Sequence, residues 1–357
     1  MSERRLIFEV TQEDLAGLLG EWGEPAYRAR QVWQGIYRRL ADSPESLTGL
    51  PGPLRLRLGE HLSFSSSEIK AVARSKDGGT EKLLLALPGG QAIEAVLMRY
   101  ERRRTACIST QSGCGMGCVF CATGQMGFKR NLAAGEIVEQ VLLFARRLAR
   151  TGEHLTNIVV MGMGEPFHNY EATMLAIDRL NDREGFNFGA RRFTISTVGL
   201  VPMIERFTQE DRQVNLAVSL HAATDDLRSQ LLPINRRYPL SVLMLACRDY
   251  VRHTGRRLSF EWALIRGLND TPEQAEALAG LLEGLNCHVN LIPLNPTKKY
   301  PGEPTQRERA SAFSDHLVRR GIACTIRLRR GIDIQAGCGQ LATEATTPGS
   351  PPLVPLP

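Results

Sequence analysis

Three cysteines stand together in the run Gly113-Cys114-Gly115-Met116-Gly117-Cys118-Val119-Phe120-Cys121, at C-x₃-C-x₂-C spacing. Glycines at 113, 115 and 117 let a short loop take positive φ and fold the three thiols inward onto one centre. A closed zinc site wants four ligands, and no nearby His or Cys supplies the fourth. Three cysteines in so short a glycine-rich loop also fit a packed core poorly. Thiolates are the usual holders of iron–sulfur clusters, and three of them on a four-iron cluster leave one iron open to a substrate. The spacing points first to a cluster, with a structural metal site as the alternative.

Of the eight cysteines, Cys247, Cys287 and Cys324 sit in apolar runs and read as core. Composition alone gives no reason to set Cys107 or Cys338 apart from them. Eight is too few for a disulfide-stapled secreted scaffold in a chain of 357 residues. Other candidates follow apolar runs. Gly164-Glu165-Pro166 follows one, Ser196 ends the next, Ser219-Leu220-His221 ends a third, and Asn295 follows another. Singly, such serines and asparagines are turn residues, Glu165 a helix-start acid and His221 a structural histidine. Together they mark one rim.

That rim requires a parallel sheet. From about residue 105, strand-like runs recur at 105–110, 157–161, 192–196, 214–220, 258–264 and 287–292, with helical stretches between them and a last strand at 323–328. Six β-then-α units make an α/β fold, doubly wound or curled into a partial barrel, and in both the carboxyl ends of the strands carry function. Ahead of it, residues 68–100 read as three strands separated by Asp77-Gly78-Gly79 and Pro88-Gly89-Gly90 turns. The first 65 or so residues read as helical: a helix beginning at Thr11, one after Pro25 with Tyr27, Val32, Trp33, Ile36, Tyr37 and Leu40 at helical spacing, and two shorter ones punctuated by Ser43-Pro44-Glu45 and Pro51-Gly52-Pro53. Three parts result: residues 1–100 as a helical and small-β accessory unit, 101–342 as the catalytic domain, and a disordered tail over 343–357.

Composition is ordinary, 43% hydrophobic and 23% charged, which excludes a collagen-like or wholly disordered chain. No stretch approaches a membrane span, and the opening residues lack the apolar core of a signal peptide, so a cytoplasmic protein without membrane contact is expected. Lys and Arg number 44 against 38 Asp and Glu, a net +6. The cations cluster at Arg28, Arg30, Arg38 and Arg39; at Arg102-Arg103-Arg104; at Lys298-Lys299; and at Arg319, Arg320, Arg327, Arg329 and Arg330. Four clusters with few acids among them lean towards nucleic acid rather than merely solvated faces.

The stretch Cys114–Cys121 resembles the cysteine motif of the radical S-adenosylmethionine (SAM) superfamily. Its continuation, Ala122-Thr123-Gly124-Gln125-Met126-Gly127-Phe128-Lys129-Arg130-Asn131-Leu132, is similar to the bacterial adenine C2-methyltransferases of 23S rRNA, which also act on tRNA: the RlmN/Cfr family. Met161-Gly162-Met163-Gly164-Glu165-Pro166, Ser219-Leu220-His221, the blocks at 232–239 and 288–296, and Arg330-Gly331-Ile332-Asp333-Ile334-Gln335-Ala336-Gly337-Cys338 agree, in order, across residues 94–341. The resemblance implies a partial (βα)6 barrel in which Cys114, Cys118 and Cys121 hold a [4Fe-4S] cluster. It implies that Gly164, Glu165, Ser196, Ser219, Leu220, His221 and Asn295 bind SAM. It also implies that Cys338 carries a methyl group, Cys107 resolves the adduct and Glu94 accepts a proton.

Carbon 2 of adenine is electron-poor and does not attack the methyl of SAM. In the family, the Cys338 position takes a methyl from one SAM by displacement. The reduced cluster cleaves a second SAM to a radical that removes hydrogen from the S-methyl group, and the carbon radical adds to the ring. The Cys107 position then attacks the Cys338 sulfur, freeing methyladenine and leaving a disulfide. Partners implied are 23S rRNA, tRNA and an electron donor of the flavodoxin or ferredoxin type. RNA contact is expected from the N-terminal helices, Arg102–Arg104, Lys129 and Arg130, whereas Trp22 and Trp33 read as helix packing. Two alternatives stay open: methylation at carbon 8, as in the sister group, and a non-catalytic RNA-binding protein with a structural metal site.

Overall fold

The computed structural model describes residues 4–343, so the expected tail lies almost wholly outside the described residues. The chain begins with β1 (Arg5–Leu6) and α1 (Gln12–Glu21). Thr11 caps α1. Its side chain accepts from the Asp14 N–H, and the Asp14 carboxylate accepts from the Thr11 N–H, each at 3.0 Å, which satisfies two donors a helix start leaves free. α2 (Tyr27–Tyr37) buries Val32, Trp33, Ile36 and Tyr37. α3 (Gly52–His61) follows Pro51, and β2 (Leu62–Ser63) pairs with β1 in parallel. Of the two short helices expected here, only α3 forms. Residues 43–49 are bends and turns in which Ser46 Oγ accepts from the Asp42 and Ser43 N–H groups and donates to the Ser43 carbonyl. Local side-chain bonds of that kind compete with a helical ladder.

β3 (Glu68–Arg74), β4 (Thr80–Ala86) and β5 (Ala92–Arg99) form an antiparallel meander. β5 pairs in turn with β6 (Arg104–Cys107), setting Val96 opposite Cys107. The meander is thus the first part of the main sheet, and a division at residue 100 runs through one hydrogen-bonded layer. A hairpin of β7 (Gln111–Gly113) and β8 (Phe128–Asn131) then encloses the cysteine loop and the single-turn α4 (Ala122–Gln125).

Alternation follows: α5 (Ala134–Ala149), β9 (Asn157–Val160), α6 (Tyr170–Asn181), β10 (Phe193–Thr197), α7 (Val201–Gln209), β11 (Asn215–Ser219), α8 (Asp225–Leu231), α9 (Leu240–Thr254), β12 (Leu258–Leu264), α10 (Pro272–Leu282), β13 (Cys287–Pro293), α11 (Arg307–Arg319) and β14 (Ala323–Ile326). β6 and β9 to β14 run parallel, in sequence order, within a ten-stranded sheet bounded by β14 and β3. An order that never reverses is that of a barrel, not of a doubly wound sheet. It stays partial. Past β14, the Arg330 guanidinium lies 4.6 Å from the ring of Tyr100, just beyond β5. Side chains, not a backbone ladder, bridge this seam.

The N-terminal helices lie against the outside of the barrel. Trp33 Nε1 donates to Asp182 at 2.5 Å, Arg30 pairs with Glu184 at 2.7 Å, and Arg38 donates to the carbonyls of Arg183 and Gly185. Arg28 pairs with Glu24, and Arg39 donates to the Gln31 carbonyl. Arg30 and Arg38 thus dock α2 on the barrel, while Arg28 and Arg39 bond within their own segment. Trp22 serves packing, with the His61 ring centred 4.8 Å away and the Arg57 guanidinium at 4.5 Å.

Candidate active site

The carboxyl ends of the parallel strands open into two adjoining chambers. One, of about 170 Å³, is lined by Cys114, Cys118 and Cys121 together with Gly164, Glu165, Ser196, Ser219, His221 and Asn295. The other, of about 230 Å³, reaches Cys107 and opens past Tyr100, Arg103, Arg327, Arg329 and Arg330. Cys338, Asn295 and Glu261 belong to both walls. Of the residues expected at the site, Leu220 and Glu94 line neither chamber. Leu220 is fully buried, its N–H donating to the Glu261 carbonyl at 3.0 Å.

Backbone closeness holds the two cysteine-bearing loops together. A Cβ at Gly113 would lie 1.9 Å from the Gly127 carbonyl oxygen, and φ is +72° there, so glycine alone lets the hairpin close beneath the thiols. The Ala122 N–H donates to the Gly339 carbonyl at 2.7 Å, Thr123 Oγ1 to the Leu341 carbonyl at 2.7 Å, and Asn295 Nδ2 to the Cys338 carbonyl at 3.0 Å. The segment carrying Cys338 is thereby strapped across the loop carrying Cys121.

Burial sets the electrostatics. It pushes the Cys114 thiol up to about 12 and raises Cys118 as well, so both call for a positive centre to become thiolates. Among the described residues, no three His, Cys, Asp or Glu side chains converge to hold a single metal ion. The three thiols line a shared space instead. Glu165 accepts from the Val198 and Phe167 N–H groups at 2.8 and 3.0 Å, yet burial still lifts its carboxyl to about 7. Asn295 Oδ1 is buried without a hydrogen-bond partner. A carboxylate, an orphaned acceptor and the Ser196 and Ser219 hydroxyls, 3.4 Å apart, make a wall suited to a ligand rich in donors.

Cys338 is exposed, but into the chambers. Burial and the Glu261 carboxylate lift its thiol to about 11, opposed by Arg327. Cys107 is buried and raised further, mainly by desolvation and then by Cys338. Both cysteines are free thiols. Glu94 turns away: it pairs with Lys82 at 2.9 Å and accepts from the Ala342 N–H at 3.0 Å.

Two polar residues here escaped the sequence reading. Glu261, on β12, accepts from Asn290 Nδ2 at 2.7 Å, and burial raises its carboxyl. Its alternation with apolar Phe260 and Trp262 placed it inward, but nothing local marked it. Arg228, on α8, is completely buried. It donates to the carbonyls of Leu220, Val198 and Ser219 and to Asn235 Oδ1. Its place in the last turn of a helix that opens on Asp225 and Asp226 was no guide to this role.

His221 has φ of +59°, its Nδ1 accepts from the Ala263 N–H at 2.9 Å, and desolvation, then Arg228, hold its pKa down at about 3. The unfolded chain protonates it near 6.5, so between those values only the unfolded state takes up the proton. Stability is lost as pH falls through this window, by about 1.4 kcal/mol per unit. Asn tolerates positive φ and can accept the same bond. His221→Asn should therefore flatten this slope in urea titrations between pH 6.5 and 4.5; an unchanged slope would mean the histidine is not held neutral.

The family comparisons fit this geometry. A radical SAM superfamily model matches residues 108–279, and a ribosomal RNA large subunit methyltransferase N-terminal domain model matches residues 7–63. Dual-specificity RNA methyltransferase RlmN 1 of Myxococcus xanthus is 52% identical, covering 94% of this chain and 93% of its own. The chain belongs to the RlmN family. A probable RlmN of Chloroflexus aurantiacus is 48% identical over 97% of this chain and 95% of its own. The crystal structure of a radical SAM methyltransferase from Sphaerobacter thermophilus superposes with a TM-score of 0.93 at 52% identity, covering 95% of this chain and all of that one. Membership in a radical SAM family brings SAM and a four-iron cluster with it. The RlmN N-terminal domain match spans α1, α2, α3 and β2. Among the described residues no helix is long and apolar enough to cross a membrane.

Proposed function

We propose that the protein methylates carbon 2 of an adenine in 23S rRNA, and in tRNA, by way of a methylated Cys338. One observation carries this reading: Cys338 stands on the walls of both chambers, with Cys114, Cys118, Cys121 and Glu165 in one and Cys107 in the other. A thiol that takes a methyl group in one chamber and delivers it to a base in the other must belong to both.

Cys114, Cys118 and Cys121 would hold the cluster. Glu165 suits an ammonium group, and Gly164, Ser196, Ser219, His221 and Asn295 complete the SAM wall, with Leu220 behind it. When bound, the cluster supplies the electron that cleaves SAM, and two SAM molecules per turnover supply the methyl group and the radical. The chain's own residues do the rest. Arg327 favours the Cys338 thiolate, which is the nucleophile. Cys107 lies close enough to feel the charge of Cys338, as a thiol must if it is to attack that sulfur and release the product. To accept the ring proton, Glu94 would have to turn into the chambers, away from both Lys82 and the Ala342 N–H. A flavodoxin- or ferredoxin-type donor in the cytoplasm completes the reading.

The names of the relatives support RNA as substrate, rRNA and tRNA both fitting "dual-specificity". The test is anaerobic turnover of reconstituted protein on unmodified tRNA and on a 23S rRNA fragment, followed by nucleoside mass spectrometry. The expected product is 2-methyladenosine; 8-methyladenosine in its place overturns the choice of ring position.

A further inference from the structure

We propose that the mouth of the Cys107–Cys338 chamber is a phosphate-gripping rim. Arg103, Arg327 and Arg329 take backbone phosphates on either side of the nucleotide that enters, while Tyr100 and Leu328 offer faces to its sugar or to neighbouring bases. The inference rests on RNA being the substrate and deepens it by naming the contacts.

Most arginines nearby are already neutralised. Arg99 and Arg104 share Glu153, Arg130 pairs with Glu136 through two bonds of 2.7 Å, and Arg147 pairs with Glu81. Arg103, Arg327 and Arg329 form no ion pair among the described residues, and all three line the chamber. A set of cations without ion pairs at the entrance of a cavity is a focused positive field, and among the described residues Arg103 and Arg329 have no acidic partner inside it.

The rim also has flat and apolar parts. Tyr100 is held by two guanidinium groups, Arg103 at 4.7 Å and Arg330 at 4.6 Å from its ring. Arg330 is itself tied down, donating to the Arg99 carbonyl at 3.3 Å with Asp77 at 4.0 Å. Leu328, between Arg327 and Arg329, is 82% exposed and lines the same mouth. Cations for phosphate beside an aromatic ring and an aliphatic tip for base or sugar are the chemistry of single-stranded RNA contact. A base turned out of its stack to reach Cys338 draws its flanking phosphates to this rim.

The test measures binding of an unmodified tRNA transcript to the full-length protein across a salt series. Each lost single-strand phosphate contact lowers the slope of log K against log salt by about 0.7. Arg327→Gln with Arg329→Gln should lower it by about 1.4, and Arg103→Gln by about 0.7 more. Lysine at 327 and 329 should restore the slope. Arg191→Gln, at the amino ends of the strands, should leave it unchanged. If the glutamine pair lowers affinity at an unaltered slope, or changes neither, the rim is overturned while RNA binding stands. If the unaltered protein binds no RNA at the lowest salt, the rim and the RNA reading fall together.

Discussion

Cys338→Ala abolishes methylation, by at least about 10⁴-fold as for the loss of any covalent nucleophile, and leaves no S-methylcysteine on the protein. The change is confined to one sulfur. What the surrounding segment contributes to the site is mostly main chain: the Gly339 carbonyl holds Ala122, the Leu341 carbonyl holds Thr123, and the Cys338 carbonyl itself holds Asn295. Alanine keeps all three. Iron and sulfide content, visible spectrum and tRNA affinity should therefore match those of the unaltered protein, while product nucleoside and methylated peptide both vanish. Methylation that persists in this variant would mean that the methyl group reaches RNA by another route.

Cys107→Ala stalls the reaction one step later. The Cys107 thiol faces Val96 on β5, is almost fully buried and lies near Cys338. Removing it costs little packing, since one sulfur leaves a small void. Addition of the methyl-bearing Cys338 to the base proceeds, but no thiol is left to displace it. The expected result is a protein–RNA adduct that survives denaturing electrophoresis and collapses on ribonuclease treatment. The double variant lacking both thiols should form none. Normal turnover by Cys107→Ala would return this residue to the core, beside Cys247.

The sequence made the parallel sheet and its rim legible because both are periodic, while the choice of barrel over doubly wound sheet came from the resemblance. Strand runs separated by helical stretches fix a parallel sheet, and the residues just after each run fall at one end of it. The three clustered cysteines announced themselves by glycine and spacing. Side-chain partners were harder to read. Arg28, Arg30, Arg38 and Arg39 read as an RNA face, and the partners they also meet, on and just before α2 and on the 183–185 loop, could not be read from the sequence. Glu94 looked available, because nothing near it in sequence shows that Lys82 and the Ala342 N–H meet it. Arg228 and Glu261 were invisible for the same reason: a buried charge is defined by distant carbonyls and amides, and local pattern does not encode them. Residues 43–49 failed as a helix through bonds made by two serines, a local cause that the Ser43-Pro44-Glu45 punctuation did not reveal.

The seam between β14 and the meander has a mechanical consequence. Separating any two neighbouring strands elsewhere in the sheet means breaking a cooperative row of main-chain bonds. Along the seam there are only ring stacks, single bonds such as Lys82 to the Gln335 carbonyl, and loosely paired arginines, each contributing on the order of 1 kcal/mol or less. The barrel thus has one soft line, and its slowest-exchanging amides should stop short of residues 327–342. Cys107 sits in the main-chain ladder on β6, whereas Cys338 lies past the seam on a segment strapped to Ala122, Thr123 and Asn295, so an opening of the seam leaves both sulfurs held on the site's side of it.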